Sequence, residues 1–192
     1  EPFAVDAATV SAWFSEPPPV VDPAASNESH QVEYKQTAWT PVGEPTNEDH
    51  RKKLERDLKN SIVKTVVAFL NSDGGELVIG VRDEDRAVTG IELDLEAREK
   101  ETDDHDYYER ELVNLFSDRI DNRVHNQLRV RFESHEEGTT CHISVRPSPS
   151  PRFGTTPSPH EKTRPKFWIR ALNTTKELEG NDILGWIEEH WS

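Results

Sequence analysis

The chain has 192 residues, which suits one domain with a small appendage, and 33% of them are hydrophobic, which is enough for a core. Its formal net charge of −14, from 37 acidic and 23 basic residues, argues against a uniformly basic, nucleic-acid-binding surface. No apolar run approaches the roughly 18 residues of a membrane span, so we expect no membrane partner. The single cysteine, Cys141, excludes an internal disulfide and fits a reducing cytosol, so we expect a cytoplasmic protein.

Residues 1–27 form a predicted proline-rich extension, and the main domain is predicted over residues 28–192. The stretch SEPPPVVDP resists regular structure. Ahead of it, Asp6 is placed to cap one short helix that carries Val10, Trp13 and Phe14 on one side. We expect this apolar spot to pack on the main domain; the alternative is a partner-binding segment.

The first strand is predicted in HQVEYKQTAW. Val32 and Tyr34 face one side of this strand, whereas Gln31, Glu33 and Lys35 face the other. A polar loop follows the strand.

The clearest helix is predicted from Glu48 to Leu70, with Asn47 as its N-cap. Its apolar residues recur about every four positions and form a buried stripe. The opposite side carries the densest basic region of the chain, which is typical of a solvated face and is also a candidate nucleic-acid contact. The stripe contains Leu54, Leu58, Ile62, Val63, Val66, Val67 and Leu70; the basic residues are Lys52, Lys53, Arg56, Lys59 and Lys64.

The sequence NSDGG ends this helix, where Asn71 or a glycine takes the left-handed conformation. ELVIGV, residues 76–81, is typical of a strand buried on both faces. AVTGIEL is predicted to return beside it as a hairpin partner. YYERELVNLFSDRI then predicts a second helix, with Tyr108, Leu112, Leu115, Phe116 and Ile120 facing inward.

LRVRFES and CHISVR both alternate between apolar and polar residues, and the turn HEEG between them predicts a hairpin. If both apolar sets face one core, the polar sets share the other face and form a basic patch. The apolar set is Leu128, Val130, Phe132, Cys141, Ile143 and Val145; the outward set includes Arg129, Arg131, His142 and Arg146.

A long Pro/Ser-rich loop follows, of a length typical of binding elements or disorder. KFWIR predicts a strand, and NDILGWIEEHW predicts a closing helix that packs Ile183, Leu184, Ile187 and Trp191. The fold class is therefore α/β (α+β), a mixed β-sheet flanked by helices in the order β-α-β-β-α-β-β-β-α.

Several familiar chemistries lack their motifs. The chain has no G-x-x-x-x-G-K-[ST] phosphate loop, no dinucleotide-binding glycine pattern and no G-x-S-x-G nucleophile turn. Its histidines lack zinc-site spacing. Cys141 occupies an inward strand position, so we interpret it as an inert core residue rather than a nucleophile.

Three acidic residues are candidates for a metal site. Glu28 precedes the first strand, Glu33 lies on it, and Asp83 ends the strand after the long helix, so neighbouring strands would bring all three to one rim. Clustered carboxylates repel one another unless a cation joins them, and oxygen ligands select Mg²⁺ or Mn²⁺. Such a metal activates water for phosphodiester hydrolysis, and Lys35 is placed to hold the phosphate. The 37 acids also make chance convergence easy.

Three stretches occur in an order that resembles the Schlafen/Alba-type DNA-binding domain family over residues 28–178. They are ESHQVEYKQT, VVAFLNSDGGELVIGVRDEDRAVTG and FWIRALNTTKEL. The most specific pattern is the AF-x-N-[ST]-x-GG turn that leads into IGV-x-D and a V-x-G hairpin. The strands ending SVRPSPSP and FWIR also fit the family pattern.

The resemblance implies a Schlafen-like nuclease core that cuts structured RNA with a divalent metal. Glu28, Glu33 and Asp83 would be its catalytic acids and metal ligands. The glutamate spacing fits, but the separation from Glu33 to Asp83 is longer than usual, and the neighbouring Glu84 and Asp85 make the third position ambiguous. The vertebrate core resembles two such lobes that form a clamp, which implies a homodimer here. Many bacterial and archaeal members are described only as DNA-binding.

Three functions follow as hypotheses. The first is a Mg²⁺- or Mn²⁺-dependent endoribonuclease that acts on structured RNA, in which Lys35, Lys59 and Arg170 contact phosphates. The second is a non-catalytic DNA- or RNA-binding regulatory module without metal, which uses Arg129, Arg131, Arg146 and Arg170. The third is a structural or protein-interaction domain whose acids form a solvated, salt-adapted face.

Overall fold

The computed structural model describes residues 29–160 and 162–191. In these residues, two sheets enclose a helical layer: a mixed sheet with strand order β1-β2-β4-β3 and an antiparallel sheet with order β5-β6-β7. The strands are β1 Val32–Lys35, β2 Gly75–Ile79, β3 Leu128–Ser134, β4 Thr139–Val145, β5 Gly154–Thr155, β6 Pro165–Ala171 and β7 Thr174–Leu178. The helices are α1 Glu48–Leu70, α2 Glu92–Glu96, α3 His105–Arg119 and α4 Asn181–Trp191, with a 3₁₀ turn at Val124–Gln127.

Helix α1 lies at the centre of the fold and has the predicted bounds. The Asn47 side chain accepts a hydrogen bond from His50 N at 2.8 Å, which confirms the predicted N-cap. Ile62 and Val66 pack towards the first sheet, whereas Val63 and Val67 contact the second sheet. The C-terminal half of α1 is therefore buried on both sides and joins the two sheets.

The first sheet has the predicted two-faced pattern. Strands β1 and β2 are parallel neighbours, with Glu33 opposite Leu77, and the predicted β3–β4 hairpin forms with Arg131 opposite His142. The inner face carries Leu77, Ile79, Cys141, Ile143 and Val145 in the main core. Cys141 is fully buried, and burial raises the pKa of its thiol well above the usual value, which supports its interpretation as a core residue.

The predicted hairpin in AVTGIEL forms only over its first residues. Val81 and Val88 form an isolated antiparallel bridge, Arg82 N donates to Ala87 O and Thr89 N donates to Gly80 O, after which the chain enters helix α2 instead of extending a strand. Gly90, with φ of +73°, turns the chain away from β2. This turn brings Asp94 into the core, where it accepts hydrogen bonds from the backbone N–H groups of residues 38–40.

The left-handed residue after α1 is Gly74, with φ of +77°, whereas Asn71 has φ of −93°. Asn71 has a different role at this helix end. Its side-chain amide donates to Arg152 O and Trp168 O, and its oxygen accepts from Arg152 N. The buried asparagine therefore ties the helix end to the second sheet.

The fold class, a mixed sheet flanked by helices, is confirmed, but the C-terminal order differs from the prediction. Strand β6 includes the predicted KFWIR strand, whereas β5 within the Pro/Ser loop and the polar β7 were not predicted. In α4, Leu184 is 60% exposed and Trp186 packs on the second sheet instead. The predicted helix near Asp6, with Val10, Trp13 and Phe14, lies outside the described residues. In the described part of the chain, no helix is long and apolar enough to cross a membrane.

Candidate nucleic-acid interface

Glu33 lies at the centre of a charged contact between the two sheets. Its Oε1 is 2.7 Å from Lys35 Nζ, and its Oε2 is 3.0 Å from Arg170 Nη1. The Glu33 side chain is 14% exposed and that of Arg170 only 3% exposed. Both carboxylate oxygens therefore already have a cationic partner.

Arg170 is held from several directions at once. Its guanidinium donates to Ser29 O at 2.8 Å, to His30 O at 3.3 Å and to Thr175 Oγ1 at 3.1 Å. It also lies over the ring of Phe69, 5.0 Å from the ring centroid. These contacts fix Arg170 as a buried link between β6 and the start of β1 that orients Glu33.

Asp83 is placed differently from Glu33. It lies in the turn after β2, is 61% exposed, and its Oδ1 is 3.5 Å from Arg86 Nη1. The Arg86 guanidinium packs over Tyr34, 4.8 Å from the ring centroid. Tyr34 alternates with Glu33 along β1, so the partner of Asp83 lies on the sheet face opposite to the Glu33 carboxylate.

Two of the three predicted metal ligands, Glu33 and Asp83, have different surroundings in the described part of the chain. Glu33 is neutralised by two cations, and the ion-pair partner of Asp83 packs on the other face of the sheet. No group of three or more His, Cys, Asp or Glu residues among those described is arranged to hold a metal ion. The third predicted ligand, Glu28, lies outside the described residues.

Two predicted phosphate contacts are engaged within the chain. Lys35 Nζ bonds Glu33 and also donates to Tyr34 O at 3.0 Å. Lys59 Nζ is 2.8 Å from Glu55 Oε1, and Glu55 also pairs with Arg98 from the segment after α2. Both lysines are half-buried, so each would have to leave an acidic partner to meet a phosphate.

The residues of the predicted basic face lie on the outer side of the first sheet. Register places Arg129 opposite Ser144 and Arg131 opposite His142, all pointing away from the core residues that alternate with them. Arg146 follows β4, and its Nη2 donates to Asn126 O at 2.8 Å. Burial, and after it the positive charge of Arg129, lowers the pKa of Arg146. Arg129 and Arg146 are thus close enough for their charges to repel.

Arg131 belongs to a more enclosed network on the same face. It bonds Glu76 Oε1 at 2.7 Å, Glu133 Oε2 at 3.2 Å and His142 Nδ1 at 2.9 Å. His142 is fully buried, and its Nε2 bonds Thr140 Oγ1 at 3.0 Å. Glu76 and Glu133 were not predicted as partners; register places them opposite Ser144 and Thr140 on this face.

Comparison with known proteins agrees with this architecture. The sequence matches the family described as Schlafen, AlbA_2 over residues 28–179. Among solved structures, the chain is similar to the DIP2311 protein from Corynebacterium diphtheriae, with a TM-score of 0.50 and 16% sequence identity. That match covers 83% of this chain and 26% of the other, so this chain spans about a quarter of that protein, and the likeness concerns the fold. No protein of curated function matches the sequence.

Proposed function

The chain belongs to the Schlafen, AlbA_2 family of nucleic-acid-related domains, and from that premise we propose that it binds RNA, in preference to DNA, through the end of its four-stranded sheet that carries Arg129 and Arg146. In this proposal the domain acts as a binding module. Arg129 and Arg146 contact the phosphate backbone, and Arg131 supports them from its network with Glu76 and Glu133.

The observation that carries the proposal is the placement of two arginines on neighbouring strands at one end of the sheet. Arg129 lies opposite Ser144 on β3, and Arg146, directly after β4, donates its backbone N–H to Gln127 O. A phosphate offers the planar fork of each arginine two acceptor oxygens. Because phosphate contacts encode no sequence, we expect recognition of RNA by shape rather than by base identity.

The net charge of −14 is compatible with this surface. Electrostatic interactions between exposed charges are screened beyond about 10 Å at 0.1 M salt. A local pair of arginines therefore acts on a bound phosphate more strongly than distant acids do. The acidic remainder of the chain disfavours non-specific attachment at low salt and confines binding to the basic face.

Fluorescence anisotropy with labelled RNA tests the proposal directly. Hairpin RNA, single-stranded RNA and DNA of matching sequence are titrated with protein in the presence of a chelator. We expect Arg129→Ala/Arg146→Ala to weaken RNA binding by about tenfold or more, in line with the loss of two charge-assisted contacts. The control Arg51→Ala/Lys52→Ala removes the same charge from exposed pairs on α1 and should leave the affinity nearly unchanged.

Absence of RNA and DNA binding by the unmodified protein at every salt concentration would refute the proposal. That result would favour a structural or protein-interaction domain, in which the acids form a solvated face. Equal weakening by the control substitutions would show that total charge, rather than the Arg129–Arg146 pair, determines binding.

The second candidate is the metal-dependent endoribonuclease that the family resemblance implies. It is favoured by the side-by-side placement of Glu33 and Lys35 on one strand face, a half-buried carboxylate next to an ammonium group. In this candidate Glu28, Glu33 and Asp83 would hold Mg²⁺ or Mn²⁺, and two copies of the chain would form the groove. Glu33 already pairs with cations, and Arg86, the partner of Asp83, packs on the other sheet face. We therefore rank RNA binding without a metal above this candidate.

Cleavage of a folded RNA in Mn²⁺, repeated with chelator, separates the two candidates. The variant Glu33→Gln keeps the side-chain shape and removes the charge, but its amide N–H₂ group faces either Lys35 or Arg170, so its fold is checked by urea denaturation. If the unmodified protein cleaves RNA only with metal and this variant does not cleave it, the nuclease candidate would replace the binding module. Sedimentation of the protein with and without RNA measures whether it forms the homodimer that the clamp arrangement requires.

A further inference from the structure

The outer face of the first sheet, which points away from the main core, carries a buried apolar cluster. Val78 alternates along β2 with Leu77 and Ile79 of the main core, and Tyr34 lies opposite Val78 in the register of β1 and β2. The members of this outer cluster are Tyr34, Val78 and Val81, which are fully buried, and the half-buried Val32. Side chains on an uncovered sheet face are exposed to water, so this face has a cover.

The described part of the chain supplies little of that cover. Its helices and its second sheet contribute no residue to the outer cluster. The Arg86 guanidinium packs on the Tyr34 ring, 4.8 Å from the ring centroid. A fully buried residue typically touches about six or more others, so one guanidinium is too small to bury Tyr34, Val78 and Val81 together. Outside the described ranges, only residues 1–28 form a continuous stretch.

The chain enters β1 from the edge that borders the outer cluster. Ser29 N donates to Val32 O at 3.1 Å and Val32 N donates to Ser29 O at 3.4 Å, which makes an antiparallel bridge. The neighbouring Gln31 O accepts from Glu76 N of β2 instead. Because the backbone groups of successive strand residues point to opposite edges, Ser29 lies on the edge of β1 away from β2. The chain before Ser29 is therefore directed back along β1, antiparallel to it.

The sequence before Ser29 has the length and the apolar residues that this face requires. Val10, Trp13 and Phe14 lie on one side of the helix predicted near Asp6. The four strands of the sheet span about 15 Å from edge to edge. An extended chain covers roughly 3.3 Å per residue, so the 28 residues before Ser29 can follow β1 and still cross the whole face.

We propose that the outer face is the docking site of the N-terminal extension, residues 1–28, whose Val10, Trp13 and Phe14 pack over Tyr34 and Val78. The docked extension protects the open edge of β1 and removes an apolar patch from water. Both features otherwise favour association with other chains. This inference does not depend on the proposed RNA binding.

A cysteine placed on the outer face tests the docking in the whole chain. Val78→Cys puts a thiol in the outer cluster, and the native Cys141, fully buried in the main core on the opposite face, is the internal control. Alkylation by iodoacetamide is followed at each of the two positions by peptide mass spectrometry. We expect slow alkylation at both. Addition of Trp13→Ser/Phe14→Ser should speed the reaction at position 78 by about tenfold or more and leave Cys141 protected, because the face opens locally.

Two further variants control for effects of substitution in the extension. Ser11→Ala/Ser15→Ala changes polar residues of the same stretch and should leave both alkylation rates unchanged. Trp13→Phe/Phe14→Leu keeps apolar bulk at the two positions and should retain most of the protection at position 78. A series of protein concentrations distinguishes the extension from a second copy of the chain as the cover.

Three results would overturn the proposal. One is rapid alkylation at position 78 in a chain with an unmodified extension, since the face would then be open. Another is a rate at position 78 that Trp13→Ser/Phe14→Ser leaves unchanged, or raises only together with the rate at Cys141, since these residues would then not cover this face in particular. The third is loss of protection on dilution, which would assign the face to a second copy.

Discussion

Arg170 Nη1 lies 3.0 Å from Glu33 Oε2 and so joins strand β6 of one sheet to strand β1 of the other. The two residues are 137 positions apart in the chain. Because Arg170 also donates to Ser29 O and His30 O, it fixes the entry of the chain into β1. The ion pair thus links the two sheets at the position where the family resemblance predicts catalytic acids.

Glu33→Ala tests how much this ion pair contributes to the free energy of unfolding. The substitution leaves the Arg170 guanidinium, 3% exposed, without its carboxylate partner. Removal of one member of a buried pair costs about 3–5 kcal/mol, and the carbonyl contacts that Arg170 retains should reduce the loss in free energy of unfolding to about 2–4 kcal/mol. Urea denaturation measures it. In a double-mutant cycle, Glu33→Ala/Arg170→Met should lose less than the sum of the single variants; simple additivity would show that the two charges do not interact.

Asp94 also links distant segments through buried hydrogen bonds, and its substitution should lower the free energy of unfolding strongly. Its carboxylate accepts hydrogen bonds from Ala38 N at 2.7 Å, Thr40 N at 2.9 Å and Tyr108 Oη at 2.9 Å. In Asp94→Asn an amide N–H₂ group replaces one acceptor oxygen and faces donors, so we expect a loss of about 3 kcal/mol or more. Tyr108→Phe removes one donor only and should cost about 1 kcal/mol in the same urea measurement. Equal losses in the two variants would contradict the central role of the carboxylate.

The ionisation of Asp121 should make the stability of the folded protein depend on pH. Burial opposes its ionisation, but the Arg123 N–H and the Arg152 guanidinium, whose Nη1 lies at 2.6 Å, outweigh burial and lower the pKa of Asp121. A carboxyl whose pKa is lower in the folded state stabilises the protein above its unfolded pKa of about 3.9. This contribution is lost as pH falls through the folded pKa.

Asp121→Asn should therefore reduce the free energy of unfolding at pH 7 by about 1–2 kcal/mol, the scale of a hydrogen bond to a charged group. The difference from the unmodified protein should shrink as pH falls below about 4. Urea denaturation at a series of pH values measures this difference. A gap that stayed constant down to the acid limit would indicate that Asp121 acts through packing rather than charge.

Local signals in the sequence predicted much of the first sheet and the central helix. The N-cap at Asn47 and the spacing of apolar residues predicted α1 with its observed bounds, since both act within a few residues. Alternation predicted the β3–β4 hairpin and assigned Arg129 and Arg131 to one face. These features depend on residues that are close in the sequence, so the spacing of apolar and polar residues is enough to predict them.

The features that sequence reasoning missed depend on distant partners or on backbone pairing alone. Asp94 contacts Ala38 across 56 positions, so nothing in the residues around it indicates its burial. Strand β7 contains Thr-Thr-Lys-Glu-Leu, which lacks apolar alternation and forms because its backbone pairs with β6. The cations around Glu33 come from β1 and β6, and only the folded chain brings Arg170 to that carboxylate.

The salt dependence of RNA binding tests the assignment of Arg129. A protein that loses one phosphate contact should show a logarithmic salt slope that is shallower by roughly 0.7–0.9, because fewer counterions are released on binding. We therefore expect Arg129→Ala to reduce the slope by that amount, whereas Arg51→Ala, which removes an arginine paired with Glu48 on α1, leaves the slope unchanged. Anisotropy titrations of the same labelled RNA between about 50 and 200 mM salt measure both slopes. If Arg129→Ala lowered the affinity but kept the full slope, Arg129 would contribute by maintaining the sheet face and would not contact phosphate.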